Sequence, residues 1–152
     1  MSDNLFLHAT LVVLNDCGIL LSGKSGSGKS DLALQLIEDK NAALVADDVV
    51  YVEKKENEVI GKCAPNLAGM LEVRGLGIVK YPYIKEAKIK LWVNLVDDIK
   101  KLQRMPKKQT ECILGLEIDK IDLYAKENSA LAKIAAALRC VAGYKKKAEE
   151  KC

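Results

Sequence analysis

A run of glycines, serines and lysines near the start of the chain has the spacing of a phosphate-binding loop. In order, the run is Gly23, Lys24, Ser25, Gly26, Ser27, Gly28, Lys29 and Ser30, which fits the pattern G-x-x-x-x-G-K-[ST]. Glycines let the backbone turn tightly, so that successive N–H groups can point at an anion. In such a loop Lys29 reaches the β- and γ-phosphates of a nucleotide, and the Ser30 hydroxyl ligates Mg²⁺. The run therefore predicts a nucleotide-binding loop that works with Mg²⁺.

The flanking sequence is the context that such a loop requires. Residues 19–21 read as a short apolar strand, and residues 31–38 are strong helix formers with apolar side chains at helical spacing. A strand, a loop and a helix in this order place the loop at a helix N-terminus, whose positive end favours anions. A merely flexible Gly/Ser connection, the alternative, does not explain this context.

Asp47 and Asp48 are a second candidate for chemistry. They follow the apolar segment 42–46, at the end of a predicted strand that returns toward the loop. Adjacent carboxylates beside an apolar segment are costly unless they are solvated, paired or close to a cation. One of them could accept a proton from an attacking hydroxyl while the other helps to hold Mg²⁺. A solvated turn with an Asp cap is the structural alternative.

Three other side chains could join this site. His8 is the only histidine, and both a proton-transfer role and a core position with a satisfied hydrogen bond fit it. Glu72 could complete a metal site, and Arg74 could bind a phosphoryl group through its planar fork. Gly75 and Gly77 suggest a close approach of the backbone to a ligand. The alternative is a glycine-kinked strand with one surface ion pair.

The hydrophobic pattern predicts an α/β domain with a mixed, largely antiparallel sheet that carries the loop at one end. Hairpins outnumber strand–helix–strand units in this pattern. The predicted strands are residues 5–14, 19–22, 42–46, 49–53, 59–64, 70–79 (broken by two glycines), 89–96 and most of 111–123. A final helix is capped by Asn128 or Ser129, runs through Ala142 and ends at Gly143.

The composition is that of a soluble globular protein with one ordinary domain. The chain has 152 residues, of which 49% are apolar and 30% charged, and its net charge of +3 is too small to indicate a nucleic-acid partner. Five cysteines without a C-x-x-C pair, beside one histidine, are typical of reduced thiols rather than of a zinc site. We expect residues 1–143 to form the domain and residues 144–152 to be a charged, disordered tail.

The sequence contains no pattern that indicates a membrane partner. No apolar run approaches the length of a membrane span, and no basic-then-apolar signal segment opens the chain. The predicted location is therefore the cytoplasm.

Four segments, in this order, resemble the catalytic domain of HPr kinase/phosphorylase. The matching segments are residues 7–12, 23–30, 44–48 and 71–78. The last one, which reads Leu-Glu-Val-Arg-Gly-Leu-Gly-Ile, is the most distinctive signature of that family. The chain resembles the short form of the family, which lacks the N-terminal domain of longer members.

The resemblance implies a bifunctional enzyme that uses ATP and Mg²⁺. As a kinase it would transfer the γ-phosphoryl group of ATP to a serine of HPr, a phosphocarrier of the sugar phosphotransferase system. As a phosphorylase it would use inorganic phosphate to remove that group and would release pyrophosphate. Lys29 would act at the transferring phosphoryl group, and Ser30 and Glu72 would hold Mg²⁺.

The resemblance also implies which side chain transfers the proton. Asp47 matches the general base of the family, which serves as the acid in the reverse direction, and Asp48 would support it. His8 matches the active-site histidine. Arg74 falls in the segment 71–80, which is important for both reactions.

Two departures from the family pattern bear on the reverse reaction. Longer members carry a further active-site arginine, for which Arg104 is the nearest candidate, although the local match is poor. They also carry an arginine-rich loop before the last helix, whereas residues 122–128 contain no arginine. These departures count against phosphorylase activity more than against kinase activity. The family forms hexamers, so the resemblance implies a homo-oligomer.

Two alternatives to a protein kinase stay open on the sequence. A small-molecule kinase on the same scaffold would keep the loop and Asp47 but use a different acceptor pocket. An ATP-sensing regulatory module would bind the nucleotide without useful turnover. The presence of His8, Asp47 and Glu72 beside the loop favours an enzyme.

Overall fold

The computed structural model describes residues 4–141, which form ten strands, two α-helices and two short 3-10 helices. The strands are β1 (Asn4–Leu14), β2 (Cys17–Gly23), β3 (Ala43–Ala46), β4 (Val49–Lys55), β5 (Glu58–Lys62), β6 (Met70–Val73), β7 (Gly77–Lys80), β8 (Glu86–Leu95), β9 (Gln109–Ile113) and β10 (Leu116–Leu123). The α-helices are α1 (Lys29–Lys40) and α2 (Ala130–Leu138), and the 3-10 helices are Pro65–Leu67 and Ile99–Lys101.

Eight of these strands make one sheet, in the order β2-β1-β4-β5-β8-β10-β9 with β3 beside β1. β2 also pairs with β8, so that β1, β2, β8, β5 and β4 form a closed ring of pairings. The pairings β2–β8 and β8–β10 are parallel, and the other strand pairings of residues 4–141 are antiparallel. The prediction of an α/β fold with a mixed, largely antiparallel sheet is therefore confirmed.

Strand β1 connects two parts of this sheet. Its residues 4–8 pair with β4, whereas residues 9–14 pair with β2. His8 and Thr10 lie on either side of this change of partner, and residues two apart in a strand project from the same face. The antiparallel pairing of β1 with β3 brings the end of β3, and with it Asp47, to the same place.

Two apolar clusters stabilise the sheet from opposite faces, because side chains alternate along the strands. In β2, Ile19 and Leu21 pack in the cluster that also contains the buried faces of α1 and α2. Leu20 points the other way, into the cluster that β4, β5 and β9 also line. The helices therefore cover one face of the sheet, and the loop between β2 and α1 lies at its end.

Three predicted elements differ from the structure. The segment 70–79 is a hairpin of β6 and β7 rather than one broken strand, and the segment 111–123 is a hairpin of β9 and β10. α2 starts after Ser129, as predicted, but ends at Leu138. The predicted end of that helix at Ala142 is therefore wrong, and Gly143 and the predicted tail 144–152 lie outside the described residues.

Neither α-helix of the described residues has the length and apolar character that a membrane-spanning helix requires.

Candidate active site

The loop between β2 and α1 folds tightly around its glycines. Gly23 has φ +153°, and a Cβ at this position would lie 2.6 Å from Ser27 Oγ and 2.9 Å from the Leu95 carbonyl oxygen. Gly28, with φ +102°, precedes the first residue of α1, and a Cβ there would lie 3.0 Å from the Cβ of Ala125. The loop thus needs glycine at both positions, and it presents the positive end of α1 to its concave side.

The Lys29 side chain folds back over this loop. Its ammonium group donates hydrogen bonds to the carbonyl oxygens of Gly23 at 2.8 Å and Lys24 at 3.3 Å. These bonds place a positive charge beside the loop backbone, where the phosphates of a nucleotide would lie.

The Asp47 carboxylate receives hydrogen bonds from three different elements. Its Oδ1 accepts from the hydroxyls of Ser30 in α1 at 2.7 Å and Thr10 in β1 at 3.0 Å. Its Oδ2 accepts from the backbone N–H of Glu72 in β6 at 3.1 Å. Asp47 therefore joins the phosphate loop, the central strand and the β6–β7 hairpin.

Asp48 lies beside this carboxylate but faces outward. Its backbone has φ +68°, a left-handed conformation that Asp tolerates better than most residues. Its N–H donates to Thr10 Oγ1 at 3.4 Å, and its carbonyl oxygen accepts from the N–H of Ala9 at 3.1 Å. The Asp48 side chain is exposed and can therefore reach a ligand in front of the loop, whereas Asp47 lies behind Ser30.

A cavity of about 920 Å³ opens in front of the loop. Its lining residues are His8, Ser25, Gly26, Gly28, Lys29, Ser30, Asp31, Asp48, Glu72, Val73, Arg74, Gly75, Gly77 and Lys126. The volume is in the range of small-molecule sites. The structure thus brings His8, the loop, Asp48, Glu72 and Arg74 to one cavity, with Asp47 directly behind Ser30.

Two residues lie in places that the sequence analysis did not predict. Arg104 lines a different groove, of about 690 Å³, between β10, α2 and the segment 101–109, so the structure does not bring it to this cavity. Lys126, in the connection between β10 and α2, does line the cavity and was not predicted. A lone lysine outside the motifs gave no sequence signal.

The oxygen donors in this cavity fit Mg²⁺. Ser30 Oγ and Asp47 Oδ1 are in contact, and Glu72 lines the same cavity. Within residues 4–141, no three His, Cys, Asp or Glu side chains are arranged to hold a metal by themselves. Mg²⁺ is commonly bound by one or two carboxylates, water and substrate phosphates, so this sparse donor set suits it.

The charge of Asp47 extends to a thiol behind the site. Burial raises the pKa of Cys63 above its ordinary value, and the negative charge of Asp47 raises it further. Cys63 directly follows the last residue of β5, and the pKa of its thiol depends on the charge at Asp47.

A phosphate loop whose serine contacts an aspartate at a strand end is typical of phosphate-loop nucleotide-binding proteins. Within that class, the model of the HPr serine kinase C-terminal domain family matches residues 1–150. The chain belongs to this family.

Two relatives compared by sequence and one solved structure agree with this family membership. An HPr kinase/phosphorylase from Burkholderia lata is 39% identical to the chain, over 83% of the chain and 42% of that protein. One from Clostridium tetani is 40% identical, over 73% of the chain and 36% of that protein. A solved structure of the Hpr(Ser) kinase/phosphatase from Coxiella burnetii matches with a TM-score of 0.77 and 28% identity, covering 88% of each chain. The chain spans about two fifths of the length of the two relatives compared by sequence.

Proposed function

We propose that this protein is an ATP-dependent kinase that phosphorylates a serine of an HPr-type phosphocarrier. The relatives named HPr kinase/phosphorylase support a second activity, removal of the group with inorganic phosphate, although residues 122–128 lack the arginines of longer members. The observation that carries the proposal is the 2.7 Å contact between Ser30 Oγ and the Asp47 carboxylate. It joins the phosphate loop to an acidic strand end, in a chain whose family is named for the kinase activity. The cytoplasm, where ATP is available, is the location that the proposal assumes.

The loop and α1 would hold the nucleotide. Backbone N–H groups of residues 23–30 and the N-terminus of α1 would bind its phosphates, and the Lys29 ammonium would neutralise charge on the transferring group. Arg74, which lines the same cavity, would clamp a phosphoryl oxygen with its guanidinium fork.

Ser30 and Glu72, with Asp47 beside them, would hold Mg²⁺. Bound there, the ion would offset the charge that develops on the phosphate oxygens during transfer.

Asp47 would move the proton. Its carboxylate is held by three donors and still has lone pairs to accept the proton of the attacking serine. The serine oxygen forms a bond to the γ-phosphorus as the bond from that phosphorus to the β–γ bridging oxygen breaks, and ADP leaves. Asp48 and His8, at the cavity surface, would support the carboxylate and orient the acceptor hydroxyl.

The reverse reaction uses the same groups. An oxygen of inorganic phosphate attacks the phosphoserine phosphorus, the bond to the serine oxygen breaks, and pyrophosphate forms. Asp47, protonated in this direction by the incoming phosphate, would give that proton to the leaving serine oxygen.

Transfer from γ-labelled ATP to purified HPr-type phosphocarriers, with Mg²⁺, tests the proposal. We expect labelled phosphoserine that is lost, with release of pyrophosphate, when inorganic phosphate is added. Label that resists phosphate would restrict the protein to the kinase reaction. ATP binding without labelled phosphocarrier would favour a small-molecule acceptor or a nucleotide sensor instead.

The matched control is Lys29→Ala in the same assay. Removal of the ammonium should weaken ATP binding and lower turnover by about 10²- to 10³-fold, the usual cost of losing one preorganised charge at a transition state. If ATP affinity and turnover survive this change, the loop is not the nucleotide site.

Two further parts of the proposal concern organisation. Residues 1–143 are proposed to be the catalytic domain, and the protein is proposed to assemble as the homo-oligomer that the family resemblance implies. Light scattering of the purified chain, with and without ATP and Mg²⁺, measures the assembly directly.

A further inference from the structure

Thr10 is a buried polar residue in an otherwise apolar stretch of β1. Its exposed fraction is 0%, and its strand neighbours Ala9, Leu11 and Val12 are also fully buried. A buried hydroxyl is costly unless it is hydrogen-bonded. Thr10 therefore has a specific reason to be polar at this place, and its contacts give that reason.

The hydroxyl of Thr10 contacts both aspartates of the site. It donates to Asp47 Oδ1 at 3.0 Å and accepts from the backbone N–H of Asp48 at 3.4 Å. The first contact fixes the rotation of the Asp47 carboxylate. The second helps to hold the left-handed backbone of Asp48, at φ +68°.

The other side-chain donor to Asp47, Ser30, would have a second partner in a bound metal. Ser30 Oγ donates to the same Oδ1 at 2.7 Å, but this hydroxyl is also a ligand for Mg²⁺ in phosphate-loop proteins. Thr10 lies on the buried side of the carboxylate, away from the cavity, and does not line it. Its bond to Asp47 is therefore the one that can persist through the reaction.

We propose that Thr10 is a positioning residue. Its hydroxyl holds the Asp47 carboxylate toward Ser30 and keeps the Asp48 backbone in its left-handed conformation. The inference rests on the proposed kinase function for its link to turnover, but not for its effect on metal and nucleotide. Supporting groups behind metal ligands and bases commonly contribute about 10- to 100-fold to affinity or activity.

The test compares three substitutions in the full chain. Thr10→Val keeps the shape and removes the hydroxyl, Thr10→Ala removes the hydroxyl without placing a methyl group against Asp47, and Thr10→Ser keeps the hydroxyl. The measurements are kcat and KM for ATP, the affinity for Mn²⁺ in the presence of a non-hydrolysable ATP analogue, and the thermal midpoint.

We expect Thr10→Val and Thr10→Ala to lower kcat by about 10- to 100-fold, with KM for ATP changed much less. Both should also weaken Mn²⁺ binding, and Thr10→Ser should restore both properties. Because Val and Ala differ in volume, a common defect that Ser relieves identifies the hydroxyl rather than packing as the cause.

Two results would overturn the proposal. Wild-type kcat and Mn²⁺ affinity in either folded hydroxyl-free variant would show that the contact is dispensable. A defect in Thr10→Ser equal to that in Thr10→Val would assign the effect to shape. If wild-type protein labels no phosphocarrier, the proposed function fails, while the Mn²⁺ comparison still decides the role of Thr10.

Discussion

The two ends of the cavity are built in different ways. At the phosphate end, Lys29, Ser30 and Asp47 are tied to neighbouring elements by short hydrogen bonds, and Gly23 packs closely against Ser27 and Leu95. At the hairpin end, β6 and β7 form a two-stranded sheet apart from the main one. Leu76 and Ile78 in this hairpin are 74% and 59% exposed.

The hairpin is anchored at its base and open at its tip. Leu71 and Val73 are buried in the apolar cluster beneath the helices, and the N–H of Glu72 donates to Asp47. Residues 74–78, by contrast, are exposed, and Gly75 and Gly77 have no atoms near the place of a Cβ. The difference fits the two ligands of the proposed reaction. Nucleotide phosphates have one shape and suit a rigid cradle, whereas a protein acceptor presents a surface that an exposed apolar tip can meet.

The largest expected effect lies at the phosphate end and separates the two aspartates. Asp47→Asn should leave ATP binding nearly intact and lower turnover by about 10²- to 10⁴-fold, the usual contribution of a general base. Asp48→Asn, a matched change at the exposed neighbour, should cost less. Steady-state phosphorylation of the phosphocarrier, with ATP affinity from a fluorescent analogue, gives both quantities.

The opposite ranking would revise the proposed mechanism. If Asp48→Asn were the more damaging change, Asp48, which lines the cavity, would be the base and Asp47 a holder of Ser30 and the metal. Unchanged turnover in both variants would remove the acidic strand end from the chemistry.

A smaller effect is expected at the hairpin end. Gly75 has φ +91°, and a Cβ there meets no neighbouring atom, so Gly75→Ala tests the backbone conformation alone. A left-handed non-glycine residue costs about 1–2 kcal/mol. We expect kcat/KM for the phosphocarrier to fall by about 5- to 30-fold, which is the same free energy as a ratio, with ATP affinity unchanged.

Gly115 supplies the control for this prediction. It has φ +82° and also an open Cβ position, but it lies in the turn between β9 and β10 and does not line the cavity. Gly115→Ala should therefore lower the thermal midpoint about as much as Gly75→Ala without changing kcat/KM. Equal kinetic losses in both variants would mean that the hairpin tip has no specific part in recognising the acceptor.

The phosphate loop could be predicted from the sequence, whereas the hairpin at residues 111–123 could not. The glycine spacing and the final Gly-Lys-Ser of the loop are patterns within a short stretch of sequence. The loop, the following helix and the Asp47-Asp48 strand end could therefore be predicted from short segments. The hairpin at 111–123 could not, because its turn places Leu114 at φ +51°, a conformation that a leucine gives no reason to expect. Hydrophobic alternation alone cannot reveal such a turn.

Contacts between residues that are far apart in the sequence could not be predicted either. Thr10 looks like an ordinary β-branched strand residue, and its bond to Asp47 depends on the pairing of β1 with β3. Lys126 lines the cavity and follows Ala125, which lies close to Gly28 although the two are far apart in the sequence. The role of Arg104 was inferred from resemblance and chain order, which do not fix where a loop residue lies in space. Its assignment stays a prediction, now with a place in a separate groove.

The smallest effect concerns the Cys63 thiol, whose pKa the charge of Asp47 raises. Burial and the charge of Asp47 both raise the pKa of Cys63, so the thiol stays protonated, and slow to alkylate, to a higher pH than an ordinary cysteine.

Asp47→Asn removes one of these causes and should lower the pKa of Cys63, which raises the thiolate fraction at any pH below that pKa. Because burial is the larger cause and is unchanged, the alkylation rate at Cys63 should rise but stay below that of an exposed cysteine. Residue-resolved mass spectrometry at pH 8 measures this rate, with Asp48→Asn as the matched charge control and the exposed Cys112 as the internal one. An equal rise in Asp48→Asn, or at Cys112, would mean a general loosening of the fold, and the thiol would then not report the charge state of Asp47.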